Sequence, residues 1–407
     1  MGDYLPLLAS LIALLVGLVV GKAWERYKLR DGRWIDRRRL RETPHYLLGL
    51  TYLVHGQVDQ AIEALTHVAT SDADAFEIEM ILGNLLREKG QVARAITIHQ
   101  TLLQRPNLAR IEHAHVLLCL GLDFRHAGFI DRAIEAFTEV RTLDPGNRYA
   151  LLHLQKLYEE QRQWEDALRV REEIAAHTPE PVLDDNQILG FLHNEIGDAQ
   201  RRLGDVRQSS RSYARAIEAD ERTAPAYLNL GDLREEQGDM RGAVEAWEQL
   251  AQALPHRAAL VFERLERGYL ALGAHGRFAE HCEQTIAQNP QDWRTRLALA
   301  RHLAGRNQPE AAFELLLDAL AHNPHGLAIH QEVWRSLITM DLRAELVHRY
   351  VALTTDAVFY LDPHVCVKCH YRSTELLWLC PQCHEWNTFV EERIAPAKDS
   401  AAFASLD

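Results

Sequence analysis

The sequence predicts an all-α protein with a transmembrane helix at its N-terminus, a body of helical repeats and a small metal-binding ribbon near its C-terminus. Three observations predict this arrangement: an uncharged apolar run at residues 4–21, residue matches that recur 34 positions apart, and two Cys-x-x-Cys pairs close to the end. The 407 residues are 47% hydrophobic and 25% charged, which is ample for a folded body beside an anchor.

The apolar run at residues 4–21 is about as long as the ~20 residues that a helix needs to cross a hydrocarbon core. A cleaved signal peptide would carry basic residues before the run and a small-x-small site after it. Here Asp3 precedes the run and Lys22 follows it. We therefore expect residues 1–21 to form a single, uncleaved transmembrane anchor.

Small residues recur at every fourth position of this run, on one face of the expected helix. Such a face lets a second transmembrane helix approach closely, although Gly and Ala are also common in membrane helices without a partner. The residues of this candidate contact face are Ala9, Ala13, Gly17 and Gly21.

A basic juxtamembrane segment at residues 22–43 follows the run. An excess of Lys and Arg marks the cytoplasmic side of a membrane, which places everything after residue 22 in the cytoplasm. The segment would also attract anionic lipid at about 1 kcal/mol per well-placed cation, unless it serves orientation alone. Its cations are Lys22, Arg26, Lys28, Arg30, Arg33, Arg37, Arg38, Arg39 and Arg41.

The middle of the chain repeats with the period of tetratricopeptide helix pairs. Gly49 and Gly83 are 34 residues apart, as are Gly197 and Gly231. A glycine at this position lets the two helices of a repeat approach closely. We expect about eight repeats over residues 44–357, stacked into a superhelix whose concave face binds partners.

Side chains within the repeats have expected structural roles. The apolar positions should form the core between helices, and Cys119 and Cys282 should be buried, inert thiols. Repeat register alone places Asn84, Arg87, Asp232 and Glu235 on the concave face. The core positions are Leu82, Leu86, Phe124, Phe137 and Trp247.

Two Cys-x-x-Cys pairs, Cys366 with Cys369 and Cys380 with Cys383, are separated by ten residues. Four thiolates on two tight turns suit one tetrahedral metal, and zinc is the expected ion, although iron fits the same ligands. A ribbon of about thirty residues cannot bury enough core to fold alone, so the metal would supply the missing stability.

Both pairs are followed by a histidine, His370 and His384, so each also matches Cys-x-x-Cys-His, the c-type haem attachment pattern. Disulfides are a second alternative. A cytoplasmic location disfavours both, because haem attachment and stable disulfides belong outside the cytoplasm. A redox protein with bound iron or haem remains a third functional class, and an absorption spectrum would identify it.

The sequence argues against nucleic-acid binding and against catalysis. The net charge is -13, and acidic residues outnumber basic ones in the ribbon, unlike a basic nucleic-acid footprint. No HExxH, GxSxG or Walker string occurs. We therefore expect a binding protein that is not an enzyme.

The chain resembles the lipopolysaccharide assembly protein B family over its full length. The resemblance is sharpest in LGNLLREKGQVARAITIHQTLL (residues 82–103) and CVKCHYRSTELLWLCPQCHEWNTF (residues 366–389). It implies a single-pass protein of the inner membrane, with a periplasmic N-terminus, a cytoplasmic tetratricopeptide body and a rubredoxin-like ribbon at residues 363–392 that packs against the repeats. The four cysteines carry over as the metal ligands.

The functional implication is an adaptor that restrains lipopolysaccharide synthesis by helping the membrane protease FtsH degrade the LpxC deacetylase. Further implied partners are other lipopolysaccharide assembly or regulatory membrane proteins, and inner membrane lipids. The repeats and anchor alone would equally suit a general membrane-tethered scaffold for envelope biogenesis.

One departure from the family pattern is His370, because a glycine usually follows the first knuckle and readily adopts the left-handed conformation. The substitution leaves His370 open as a competing ligand. We expect Trp378 and Trp386 to cover the metal site, and residues 393–407 to be a disordered tail.

Overall fold

The computed structural model describes residues 44–71, 75–177, 183–339, 344–354 and 364–391. The expected anchor at residues 1–21 with its small-residue face, the basic segment at 22–43 and the tail at 393–407 lie outside these residues. Among the helices described, none is both long and apolar enough to span a bilayer.

Helices fill the described chain from residue 44 to residue 354, in two compact units that divide after Leu157. In the first unit α1 packs on α2, α3 on α4 and α5 on α6, and α7 crosses the division. The bounds are α1 Pro44–Val54, α2 Val58–Ser71, α3 Phe76–Glu88, α4 Val92–Leu103, α5 Arg110–His126, α6 Ile130–Leu143 and α7 Arg148–Glu160.

The second unit continues with helix pairs and ends in a small sheet. Here α9 packs on α10, α11 on α12 and α15 on α16, and a 3-10 helix at Pro255–Val261 joins α12 to α13. The bounds are α8 Trp164–His177, α9 Leu183–Arg202, α10 Val206–Ala219, α11 Ala224–Glu236, α12 Met240–Ala253, α13 Phe262–Ala271, α14 Arg277–Gln288, α15 Trp293–Gly305, α16 Pro309–His322, α17 Leu327–Thr339 and α18 Ala344–Thr354.

Close helix contact explains the recurring glycines. A Cβ atom added to Gly121 of α5 would lie 2.7 Å from the Phe137 ring of α6, and one added to Gly197 of α9 would lie 2.6 Å from the Tyr213 ring of α10. A methyl group at either position would push the large ring of the second helix out of the core. The glycine and the large side chain therefore form one packing unit.

A Gly-Asp turn joins the helices of two pairs in the second unit. Gly204 has φ +80, the left-handed conformation that glycine adopts without strain, and ends α9. The Asp205 carboxylate then accepts a hydrogen bond from the Gln208 backbone N–H at 3.1 Å and caps α10. Gly238 and Asp239 repeat the arrangement between α11 and α12.

The predicted core positions are buried. Leu82, Leu86, Phe124, Phe137 and Trp247 are each at most 4% exposed, which confirms that the repeats bury their apolar faces against one another.

Both cysteines of the helical body are buried as expected. Cys119 lies on α5 and Cys282 on α14. Burial raises the pKa of both thiols, which keeps them protonated and unreactive.

The first unit contains a buried polar cluster between neighbouring repeats. His99 of α4 lies with its Nδ1 atom 2.5 Å from Asp123 Oδ2 of α5, and both side chains are fully buried. Arg87 of α3 donates to the other oxygen of Asp123 at 2.9 Å. The carboxylate therefore links three helices of two repeats.

Candidate metal centre

The ribbon at the end of the described chain is built on a three-stranded antiparallel sheet. Its strands are β1 His364–Cys366, β2 Arg372–Ser373 and β3 Phe389–Glu391, in the order β2-β1-β3. Val365 of β1 lies opposite Arg372 on one side and Val390 on the other. This small sheet holds the first Cys-x-x-Cys turn beside the second.

Each cysteine pair forms a tight turn closed by a backbone hydrogen bond. The N–H of His370 donates to the Cys366 carbonyl at 2.9 Å, and the N–H of His384 donates to the Cys380 carbonyl at 3.0 Å. Both histidines occupy the left-handed region, with φ 60 and φ 54. His370 thus adopts the conformation for which glycine is favoured, at some conformational cost.

The two turns bring the four cysteine sulfurs together. The Sγ atoms of Cys366 and Cys383 are 3.7 Å apart, and those of Cys369 and Cys380 are 3.5 Å apart. All four lie within 4.8 Å of one another. Zn–S bonds of about 2.3 Å in a tetrahedron place the sulfurs about 3.8 Å apart, so the spacing fits a single tetrahedral ion.

Neither histidine joins this group of ligand atoms. Across the described ranges, the cluster of side chains able to hold a metal consists of the four cysteines. Cys366 and Cys380 are fully buried, and Cys369 and Cys383 are partly exposed. The arrangement can hold an ion such as Zn²⁺ or iron with a complete thiolate set and leaves no free position for a histidine.

The surroundings of the sulfurs affect their ionisation differently. Burial opposes ionisation of Cys366, but the Thr388 hydroxyl 3.1 Å away and nearby backbone N–H groups outweigh it and lower the pKa to about 6. Burial raises the pKa of Cys383 to about 12. A metal ion would deprotonate all four thiols, since a coordinating thiol ionises outright.

The ribbon docks onto the helices of the second unit through aromatic rings. Trp386 stacks on Phe191 of α9, with ring centroids 5.2 Å apart, and also contacts Trp164 of α8 at 6.3 Å. Trp378 also packs against Phe191, with ring centroids 6.3 Å apart. This contact confirms the expectation that the ribbon packs against the repeats.

Polar contacts surround this aromatic interface. Arg257 of the 3-10 helix donates to Asn387 Oδ1 at 2.9 Å, and its guanidinium lies 4.9 Å from the centre of the Trp378 ring. Burial lowers the pKa of Arg257. The contacts with Asn387 and Trp378 hold its guanidinium in place. Arg294 of α15 forms an ion pair with Glu391 of β3. The ribbon is therefore held by three separate regions of the helical body.

The expectation that Trp378 and Trp386 cover the metal site was wrong. The side chains that pack with the cysteines are Leu376, Leu377 and Phe389. The indole rings instead pack in the cluster that contains Phe191 of α9.

The concave-face candidates make contacts within their own unit. Arg87 pairs with Asp123 in the first unit. In the second, Asp232 accepts two hydrogen bonds from Arg264, and Glu235 accepts two from Arg267. A partner that used these groups would have to displace existing ion pairs between neighbouring helices.

Family models match both parts of this architecture. A model described as the rubredoxin metal binding domain, of the LapB zinc-ribbon type, matches residues 364–391. Tetratricopeptide repeat models match residues 46–107, 194–259 and 274–333. These matches coincide with the sheet that carries the cysteines and with the helix pairs.

Relatives of known name match nearly the whole chain. Lipopolysaccharide assembly protein B of Escherichia coli strain K12 is 24% identical over 392 residues, which cover 93% of this chain and 97% of the relative. The protein of the same name from Haemophilus influenzae is 24% identical over 397 residues, with the same coverage. A solved tetratricopeptide repeat protein from Parabacteroides merdae is 16% identical, covers 69% of this chain and 99% of its own, and has a TM-score of 0.31.

The repeat architecture and the relatives indicate a scaffold that is not an enzyme. The relatives extend over the helical body and the ribbon together, and the ribbon model matches the strands and turns that carry the four cysteines. The chain is therefore similar to the lipopolysaccharide assembly protein B family over nearly its whole length.

Proposed function

We propose that this protein is an adaptor of the inner membrane that regulates lipopolysaccharide synthesis. Its cytoplasmic body would promote degradation of the LpxC deacetylase by the membrane protease FtsH and coordinate lipopolysaccharide assembly. One observation carries the proposal: a cysteine-rich ribbon is docked on tetratricopeptide helices in a chain whose full-length relatives are named for lipopolysaccharide assembly.

The N-terminal residues supply the membrane part of this proposal. Residues 1–21 would anchor the chain, with the N-terminus in the periplasm and the body in the cytoplasm, and residues 22–43 would contact anionic lipid. The small residues of the anchor would face FtsH or another membrane partner. That face consists of Ala9, Ala13, Gly17 and Gly21.

The ribbon would hold zinc through Cys366, Cys369, Cys380 and Cys383. The sulfur spacing supports a tetrahedral ion, and the thiolate set suits zinc or iron. A redox-inert ion would join the two turns and so stabilise a module too small to fold by burial alone. The docked ribbon and the adjoining helices would then present one continuous surface to a client protein.

Depletion of the protein in its native cell tests the proposal. The half-life of LpxC would be followed by immunoblot, in cells with active FtsH and in cells with a proteolytically inactive form. We expect depletion to lengthen the half-life only where FtsH is active, and re-expression of the wild-type chain to restore it. An unchanged half-life would exclude the adaptor role and leave a general scaffold for envelope complexes as the function.

A further inference from the structure

Helix α1 presents an exposed face without a charged residue. Thr51 lies four residues after Leu47 and three after Leu48, and Val54 follows three residues later, which places all four on one side of the helix. Leu47 is 54% exposed, Leu48 42% and Val54 85%. The Thr51 hydroxyl donates to the Leu47 carbonyl at 2.7 Å, so its polar atom is satisfied within the helix.

The opposite side of α1 already has its packing partners. Tyr46, Tyr52 and Leu53 pack against the cluster that contains Ala61 and Leu65 of α2. The helix is consequently apolar on both sides, whereas a helix on the surface of a soluble protein carries polar residues on its outer side.

This property distinguishes α1 from the rest of the body. Every other α-helix in the described ranges carries at least one charged side chain, and α1 carries none. Terminal helices of repeat arrays normally have a polar outer face, because no further repeat covers them. An apolar partner on the outer face of α1 would remove these side chains from water.

The chain that precedes α1 indicates what this partner is. Residues 22–43 contain nine cations and four acids, although the whole protein has a net charge of -13. The uncharged apolar run at residues 4–21 comes directly before them. A cluster of cations and an exposed apolar helix face are two signals that together bind a protein to an anionic bilayer surface.

We propose that the outer face of α1 rests on the anionic cytoplasmic leaflet of the membrane, with Leu47, Leu48 and Val54 in contact with lipid. The first helical repeat is then held against the bilayer and cannot swing freely on its tether. This inference rests on the anchor proposed above for residues 1–21.

Site-specific photocrosslinking of the full-length protein tests this contact. A benzophenone amino acid would replace Leu48 or Val54, and the protein would be reconstituted in vesicles of phosphatidylethanolamine and phosphatidylglycerol. Position 203 serves as the matched control, because Leu203 is 86% exposed but lies at the end of α9. Irradiated chains would be analysed by mass spectrometry for lipid and protein adducts.

We expect lipid adducts at positions 48 and 54 and none at position 203. The adduct yields at positions 48 and 54 should fall when phosphatidylcholine replaces phosphatidylglycerol. Adducts between two copies of the chain, or no lipid adduct at either α1 position, would overturn the proposal. Position 54 guards against a packing defect at the less exposed position 48. Vesicle flotation separates this outcome from failure of the anchor, since a chain without an anchor would not float with the vesicles at all.

Discussion

Trp386 of the metal-binding ribbon stacks on Phe191 of α9, with the ring centroids 5.2 Å apart and the ring planes inclined by 14°. Phe191 is fully buried and Trp386 is 6% exposed. The contact joins the ribbon that carries the cysteine turns to the repeat helices of the second unit.

Truncation of Trp386 should release the ribbon from the helices. Trp386→Ala removes a buried aromatic ring from an interface with Phe191 and Trp164, and we expect the free energy of unfolding to fall by about 3–5 kcal/mol. Urea unfolding followed by circular dichroism would measure the change.

Val367→Ala is the matched control for this experiment, because Val367 belongs to the same ribbon but is 53% exposed. Its effect should remain within about 0.5 kcal/mol. Equal unfolding curves for Trp386→Ala and the wild type would contradict the role of the stack.

Removal of two ligands should abolish metal binding. The double substitution Cys380→Ser with Cys383→Ser takes away half of the thiolate set, and we expect the metal content to fall from one ion per chain to none. Metal analysis by plasma mass spectrometry would measure it. A colourless wild-type protein would exclude iron, because iron thiolate sites absorb visible light, and the same mass spectrum would identify zinc.

The same double variant tests whether the ribbon acts in regulation. We expect LpxC to remain as long-lived in cells that carry it as in depleted cells. Cys119→Ala, which removes a thiol from the helical body, should keep the metal and the regulation. Normal LpxC turnover in cells with the metal-free variant would exclude the ribbon as part of the working surface.

The sequence predicted the helix pairs because close packing of the two helices requires a glycine at the same position of successive repeats. Gly121 and Gly197 are the positions where a methyl group would strike Phe137 or Tyr213, and that constraint is local enough to appear as a pattern. The cysteine turns could be predicted for the same reason, since ligand spacing within one turn is fixed by the metal.

The docking of the ribbon could not be predicted in this way. Trp386 and Phe191 are far apart in sequence, and no spacing pattern in the sequence indicates that the two residues are in contact. The buried cluster around His99 left a weak signal, which the sequence reading missed. His99 lies sixteen residues after Gly83, and the same offset from Gly121 and Gly231 leads to Phe137 and Trp247. His99 therefore occupies a repeat position that is otherwise filled by a buried aromatic ring, and a polar ring there needs a buried hydrogen-bond partner.

Loss of Asp123, the buried partner of His99, should destabilise the first unit. Asp123 is fully buried between His99 and Arg87, so Asp123→Ala leaves a cation and an imidazole in the core without their shared carboxylate. We expect the free energy of unfolding to fall by about 3–5 kcal/mol. Chemical denaturation monitored by hydrogen exchange of α3 to α5 would locate the loss.

A surface ion pair in the same unit provides the control. Asp59 pairs with Lys89 at 3.0 Å, but the Asp59 side chain is 81% exposed. Asp59→Ala should change stability by less than about 1 kcal/mol, because exposed pairs are screened by water and salt. Similar losses for both substitutions would mean that burial of Asp123 adds nothing to its interaction energy.

Glu195 of α9 should make the second unit less stable as pH rises. Burial, and then the negative charge of Asp198, raise the pKa of Glu195 to about 7, against the opposing effects of Asn194, Arg202 and Arg162. Below the unfolded pKa of 4.5 both states hold the proton, so the group has no effect on stability. Between that value and about 7 only the folded state keeps the proton, so stability falls with rising pH.

Well above pH 7 Glu195 is ionised in both states, and the loss in free energy of unfolding is complete, at about 3 kcal/mol for a shift of this size. Glu195→Gln removes the ionisation while keeping the shape, so we expect the variant to be more stable than the wild type near pH 8 and the difference to shrink toward pH 5. Urea unfolding across this range would measure it, with Glu218→Gln at an exposed position of α10 as the control. The Glu218 variant should follow the wild-type curve, whereas a Glu195 variant with the wild-type pH slope would show that other groups set the pH dependence.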